Sequence, residues 1–168
     1  MIEWLTGGRI KMKKLLVALL LLATLLGCNN NTPAPAADVT KTGEFQTEAD
    51  DAGNYVTATV TLVNDKITEV SIDSWCAPSE AFKKDLGDDY DMRGTSEIGK
   101  EWFEQIAALE EWMVGKTIDE VLAMPLFARD ENHQEIPDVE ELKTSVTITV
   151  GDYLAAVEGA VAAAVVVE

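Results

Sequence analysis

The sequence predicts an α+β domain: an N-terminal antiparallel β-meander packed with a long helix, a short helix and a C-terminal helix. Three observations predict it. Apolar side chains recur at every second position between residues 45 and 72, and at steps of three and four between residues 98 and 113. A hydroxyl-rich run at 144–150 then leads through Gly151 and Asp152 into a last apolar stretch. A period of two belongs to half-buried strands and a period near 3.6 to helices.

Phe45 and Thr47 alternate along a first short strand. In the second, Val56, Ala58, Val60 and Leu62 alternate with Tyr55, Thr57, Thr59 and Thr61, and Ile67, Val70 and Ile72 mark a third. Asp51-Ala52-Gly53-Asn54 and Asn64-Asp65 read as the two turns between them, because Gly, Asn and Asp accept tight-turn backbone angles. Residues 75–95 mix Trp75, Cys76, Pro78, Lys83, Tyr90 and Met92, with a short helix over 79–86. A connection of that length with little regular structure is a functional or covering segment.

Ile98, Trp102, Ile106, Leu109 and Met113 form the strongest helical stripe, with Trp102 and Met113 facing the core. Gly115 stops that helix, and Thr117 with Glu120 makes a capping box for a short helix carrying Ile118, Val121 and Leu122. An acidic loop at 129–141 leads to a strand at 144–150. The last helix turns Tyr153, Val157, Ala160 and Val161 inward.

Thirty acidic against 13 basic side chains give the 168-residue chain a formal net charge of −17. The balance excludes nucleic acid as a partner, since polyanion binding needs a basic stripe, and beyond residue 27 the cations are scattered apart from Lys83 and Lys84. Two cysteines cannot build a disulfide framework and one histidine cannot build a multi-histidine metal site.

The first 28 residues carry an address. Lys11, Lys13 and Lys14 precede an unbroken apolar run at 15–26, which is too short for a membrane span of roughly 20 residues and suits a secretion signal. Met12 is a second candidate start. The division expected is a signal peptide at 1–27, a tether at 28–38, in which Pro33 and Pro35 interrupt any periodicity, and a folded domain at 39–168. Removing residues 1–27 leaves 9 basic and 29 acidic side chains, net −20.

Chemistry with a recognisable geometry is scarce. There is no Gly-rich phosphate loop, no histidine beside a serine or cysteine nucleophile, and no pair of carboxylates in apolar surroundings. Asp88-Asp89-Tyr90-Asp91 lacks the glycine and distal glutamate of a calcium loop, and His133 sits in a solvated polar run. Metal sites and hydrolytic enzymes therefore drop out, and Cys76 reads as a half-buried thiol.

Leu25-Leu26-Gly27-Cys28 resembles the lipobox of bacterial lipoproteins. The resemblance implies a diacylglyceryl group on Cys28, which becomes the mature N-terminus and holds the protein to the outer face of the cell membrane. Further along, Val-Thr-Leu-Val-Asn-Asp-Lys-Ile-Thr-Glu-Val at 60–70, Lys-Asp-Leu-Gly-Asp-Asp-Tyr-Asp-Met at 84–92, Lys-Glu-Trp-Phe-Glu-Gln at 100–105 and the run 144–154 resemble the FMN-binding domain of extracytoplasmic flavoproteins. The similarity covers roughly residues 42–161. The branch most resembled comprises lipoproteins of flavin-based extracellular electron transfer and peptide-pheromone precursors.

In flavinylated members of that family, FMN is joined through its phosphate to a threonine in a pattern like Asp-x-x-Ser/Thr-Gly-Ala-Thr, by a separate Mg-dependent flavin transferase. On this chain the pattern falls on Glu141-Leu142-Lys143-Thr144-Ser145-Val146-Thr147. Thr147 is then the acceptor, with Thr144, Ser145 and Lys143 beside it, and Glu, Ser and Val stand where the pattern has Asp, Gly and Ala. Trp75, Tyr90 and Met92 are candidates for an aromatic and apolar platform under the ring, and Arg93, Lys100 and Lys143 for the nearest cations. A plain strand reads equally well, with Val146, Ile148 and Val150 buried and Thr147 and Thr149 facing water.

The function implied is that of a lipid-anchored electron carrier rather than an enzyme, with a flavin transferase and a membrane redox partner. The alternative is a flavin-free binding or signalling lipoprotein whose signal segment, near Leu19 to Gly27, is released as a peptide pheromone.

Overall fold

The computed structural model describes residues 37–167. The signal segment, the lipobox with Cys28, and residues 28–36 of the tether lie outside the described residues. Within them the protein is α+β, as the alternation and the helical stripe predict.

Strand β1 (Thr40–Gln46), β2 (Tyr55–Val63) and β3 (Lys66–Cys76) form the antiparallel meander, with Gly43 opposite Val60 and Ala58 opposite Ile72. The β2–β3 turn works because Asn64 and Asp65 both adopt left-handed angles, φ 52° and 64°, the pair that a two-residue hairpin of matching twist requires. Two short strands widen the sheet. β4 (Ala81–Phe82) joins β3, and β7 (Val165–Val166), at the far end of the chain, joins β1, giving the order β4-β3-β2-β1-β7.

One face of the sheet carries Val56, Ala58, Val60, Leu62, Ile67, Val70 and Ile72, all buried. Helix α2 (Trp102–Met113) covers it at β3, and α4 (Gly151–Ala162) at β1 and β2. The α4 contact is close: a side chain at Gly43 would run into the Ala160 carbonyl and the Ala164 backbone, and one at Gly159 into the Phe45 ring. Short helices α1 (Lys83–Leu86) and α3 (Ile118–Leu122) and a second sheet of β5 (Leu126–Phe127) and β6 (Ile136–Pro137) complete the elements.

Three expectations change. The long helix begins at Trp102, not Ile98, because Gly99 takes a left-handed φ of 62° and Glu101 spends its carboxylate on the Met92 and Arg93 N–H groups while the Glu104 side chain accepts the Glu101 N–H at 2.7 Å. Residues 144–150 are irregular, not a strand. Val146, Ile148 and Val150 are buried in alternation as expected, yet β7 already occupies the edge beside β1, and the backbone donors go elsewhere. Val146 N–H reaches the Leu142 carbonyl, Thr147 N–H the Gln105 side chain and Val150 N–H the Glu135 carbonyl. The short helix expected over 79–86 contracts to Lys83–Leu86, with Ala77–Ser79 forming a 3-10 turn and β4 between them.

Candidate functional site

A cleft of about 470 Å³ opens between the β1–β2 turn, the end of β3, α1 and the start of α4. Tyr55, Tyr90 and Tyr153 give it aromatic walls, Ser74 and Cys76 come from β3, and Lys83, at the first position of α1, projects into it. The β1–β2 turn is rigid because the Asp50 carboxylate accepts the Ala52 N–H, the Asn54 N–H and the Asn54 side-chain amide at 2.8 to 2.9 Å. Those bonds, the Asn54 side chain first, hold the Asp50 carboxyl below the ordinary aspartate value.

Among the described residues Lys83 is the one cation that lines the cleft, against the carboxylates of Glu48, Asp50 and Asp152. Its Nζ lies 4.8 Å from the Tyr90 ring centroid and 5.3 Å from that of Trp102, in reach of both faces. Burial works against its charge, but the Tyr153 and Tyr90 phenols and the Cys76 thiol outweigh it, and the ammonium is held above the ordinary lysine value. Burial pushes the Tyr153 phenol up, against the pull of Lys83 and of the Trp102 indole N–H, which donates to the Tyr153 hydroxyl at 2.9 Å.

Thr147 stands apart from this cleft. It borders a smaller hollow of about 150 Å³ with Phe127, Ile136, Pro137, Asp138, Lys143 and Val146. The wholly buried Gln105 anchors it: Gln105 Oε1 accepts the Thr147 N–H at 2.9 Å and its hydroxyl at 3.4 Å, while Nε2 donates to Ser96 Oγ and the Lys100 carbonyl. Gln105 sits one helical turn beyond Trp102 on α2.

The residues singled out from the sequence therefore divide into groups. Thr147 and Lys143 share the smaller hollow; Ser145 lines a third hollow with Ala108, Trp112 and Glu141; Thr144 is exposed on the turn between them. Tyr90 is on the large cleft, whereas Met92 packs against the core and Trp75 stacks on Tyr55 with centroids 6.0 Å apart. Of the candidate cations, Arg93 pairs with Asp88 and Glu104, both at 2.9 Å, and Lys143 with Glu140 at 3.0 Å. Lys83 and Gln105 carry the sites and were passed over in the sequence, where Lys83 is one half of a Lys-Lys pair and Gln105 one polar residue on a helix; only the fold marks them.

Among the described residues no group of three or more His, Cys, Asp or Glu side chains could hold a metal ion, and no helix is long and apolar enough to cross a membrane. No family model and no curated protein matches the chain. A structural-genomics protein from Clostridium thermocellum, solved by solution NMR, is 21% identical with a TM-score of 0.40, over 74% of this chain and 89% of its own. The α+β class rests on the elements described above.

Proposed function

We propose that this chain is a lipid-anchored extracytoplasmic flavoprotein of the FMN-binding type, an electron carrier that holds FMN through a phosphoester at Thr147. The observation that supports the reading is the setting of the Thr147 hydroxyl. It is half-buried, on a segment outside any strand ladder, with its backbone pinned by Gln105 and with Glu141, Lys143 and Thr144 exposed just upstream. A hydroxyl is a poor nucleophile, so attachment needs a transferase that reads the flanking residues, and an exposed turn free of ladder bonds is readable. Thr147 would carry the group, and Phe127, 43% exposed at the rim of the same hollow, offers an aromatic face beside it. The bound cofactor would supply one- and two-electron transfer. The protein contributes attachment, a fixed backbone and an address: lipid on Cys28 and a tether that reaches at most about 3.5 Å per residue from the membrane.

The test is to produce the protein beside a flavin transferase and record its intact mass, visible spectrum and in-gel flavin fluorescence after denaturation. Fluorescent wild type with dark Thr147→Ala is the result expected. Dark wild type, with no flavin absorbance under native conditions, overturns the reading and leaves the flavin-free signalling lipoprotein.

A further inference from the structure

The large cleft contains a cation that neither the fold nor the attachment at Thr147 uses. Lys41, Lys84, Arg93, Arg129 and Lys143 sit in ion pairs, whereas Lys66, Lys83, Lys100 and Lys116 have none among the described residues, and of these only Lys83 lines the cleft. Lys83 is half-buried, and among the described residues no carboxylate lies within 4.0 Å of its Nζ; it rests against ring faces instead. On a chain of net charge −17, a half-buried ammonium left without an acidic partner is unusual economy of placement. The space in front of it, about 470 Å³, falls within the range of small-molecule sites, roughly 300 to 1,000 Å³.

The lining specifies the ligand. Tyr55, Tyr90 and Tyr153 line the cleft with aromatic surface, Lys83 brings a positive charge to it, and Thr47, Asn54 and Ser74 add short polar groups. Glu48, Asp50 and Asp152 line the same cleft and are exposed, so they repel a molecule that carries more than one negative charge. We infer that the cleft is a binding site for a small planar aromatic anion, its single negative group at Lys83 Nζ and its ring against the tyrosines.

The test titrates the purified full-length protein, free of flavin, with benzoate and with its neutral and cationic counterparts benzamide and benzylammonium, by calorimetry. Benzoate should bind at least tenfold more tightly than benzamide, and benzylammonium not measurably. Lys83→Met should erase the preference and Lys83→Arg keep it, with chemical shifts moving at the Tyr90 and Tyr153 rings. Should Lys83→Met not fold, the three-ligand comparison on the unaltered protein decides alone. Equal affinity for benzoate and benzamide, an undiminished preference in Lys83→Met, or no binding of any of the three overturns the inference.

Discussion

Trp102 and Tyr153, from the first turns of the two long helices, meet edge to face with centroids 5.9 Å apart and share a hydrogen bond of 2.9 Å. Trp102 is 2% exposed, so the pair joins α2 to α4 over the sheet and also backs the cleft. Trp102→Phe keeps most of the ring volume and leaves the Tyr153 hydroxyl without its donor, a loss of about 1 to 3 kcal/mol. Trp102→Ala opens a cavity and should cost about 3 to 5 kcal/mol, a large part of the stability of a domain this size. Urea unfolding of the three proteins measures both, and an Ala variant as stable as wild type would refute the packing.

Gln105 serves both carbonyl-type and amide contacts from within the core. Gln105→Met, close in shape, strands the Thr147 N–H and the Lys100 carbonyl and should destabilise by about 2 to 4 kcal/mol, since each buried unpaired group costs about 1 to 3. Amide exchange at Thr147 should accelerate in that variant more than at Ile106. Equal acceleration along the whole helix would mean that Gln105 supports α2 in general and does not hold Thr147.

Asp50 gives the β1–β2 turn a pH dependence of known sign. Its carboxyl is held below its ordinary value by the Asn54 side chain and neighbouring N–H groups, so the folded state favours the ionised form. That contribution is complete above the unfolded aspartate value, about 3.9, and is lost as pH falls through the lower folded value. The stability gap between wild type and Asp50→Ala should therefore be wider at pH 6 than at pH 3. A gap that stays constant would assign the turn to geometry alone.

Cys28 carries a separate expectation, from the lipobox. Two acyl chains anchor firmly where a single chain exchanges, at about 0.8 kcal/mol per buried methylene. Cys28→Ala should pass from the membrane fraction to the medium or accumulate unprocessed, as fractionation and mass would reveal. A processed Cys28→Ala protein that stays with the membrane contradicts lipidation.

Much of this fold is legible in the sequence because local chemistry and burial agree. The meander follows from the alternation at 55–62, its turn from Asn64-Asp65, the end of α2 from Gly115 and the start of α3 from Thr117 and Glu120, whose reciprocal bonds form as expected. Where the sequence misled, a distant partner decided. The run 144–150 has the alternation of a strand, but pairing is a property of the neighbour, and β7 holds the available edge. Ile98 continues the apolar stripe, but the buried Glu101 fixes where helical bonding can begin. The site was harder still: Lys83 and Tyr90 are seven positions apart in a segment without clear periodicity, and their contact exists only because β4 folds back on β3 and turns α1 inward.

The close seat of Ala160 on Gly43 bears on the order of events during synthesis. Gly43 lies in the first strand, and its neighbour across the contact belongs to the last helix; the strand after that helix then pairs with β1 again. Most of the apolar face of β1 and β2 therefore stays open until nearly the whole polypeptide has emerged from the ribosome. Contacts of such long sequence separation form slowly. A nascent chain that ends before Gly151 therefore lacks the helix that closes its sheet, and the apolar face stays uncovered until that helix is made.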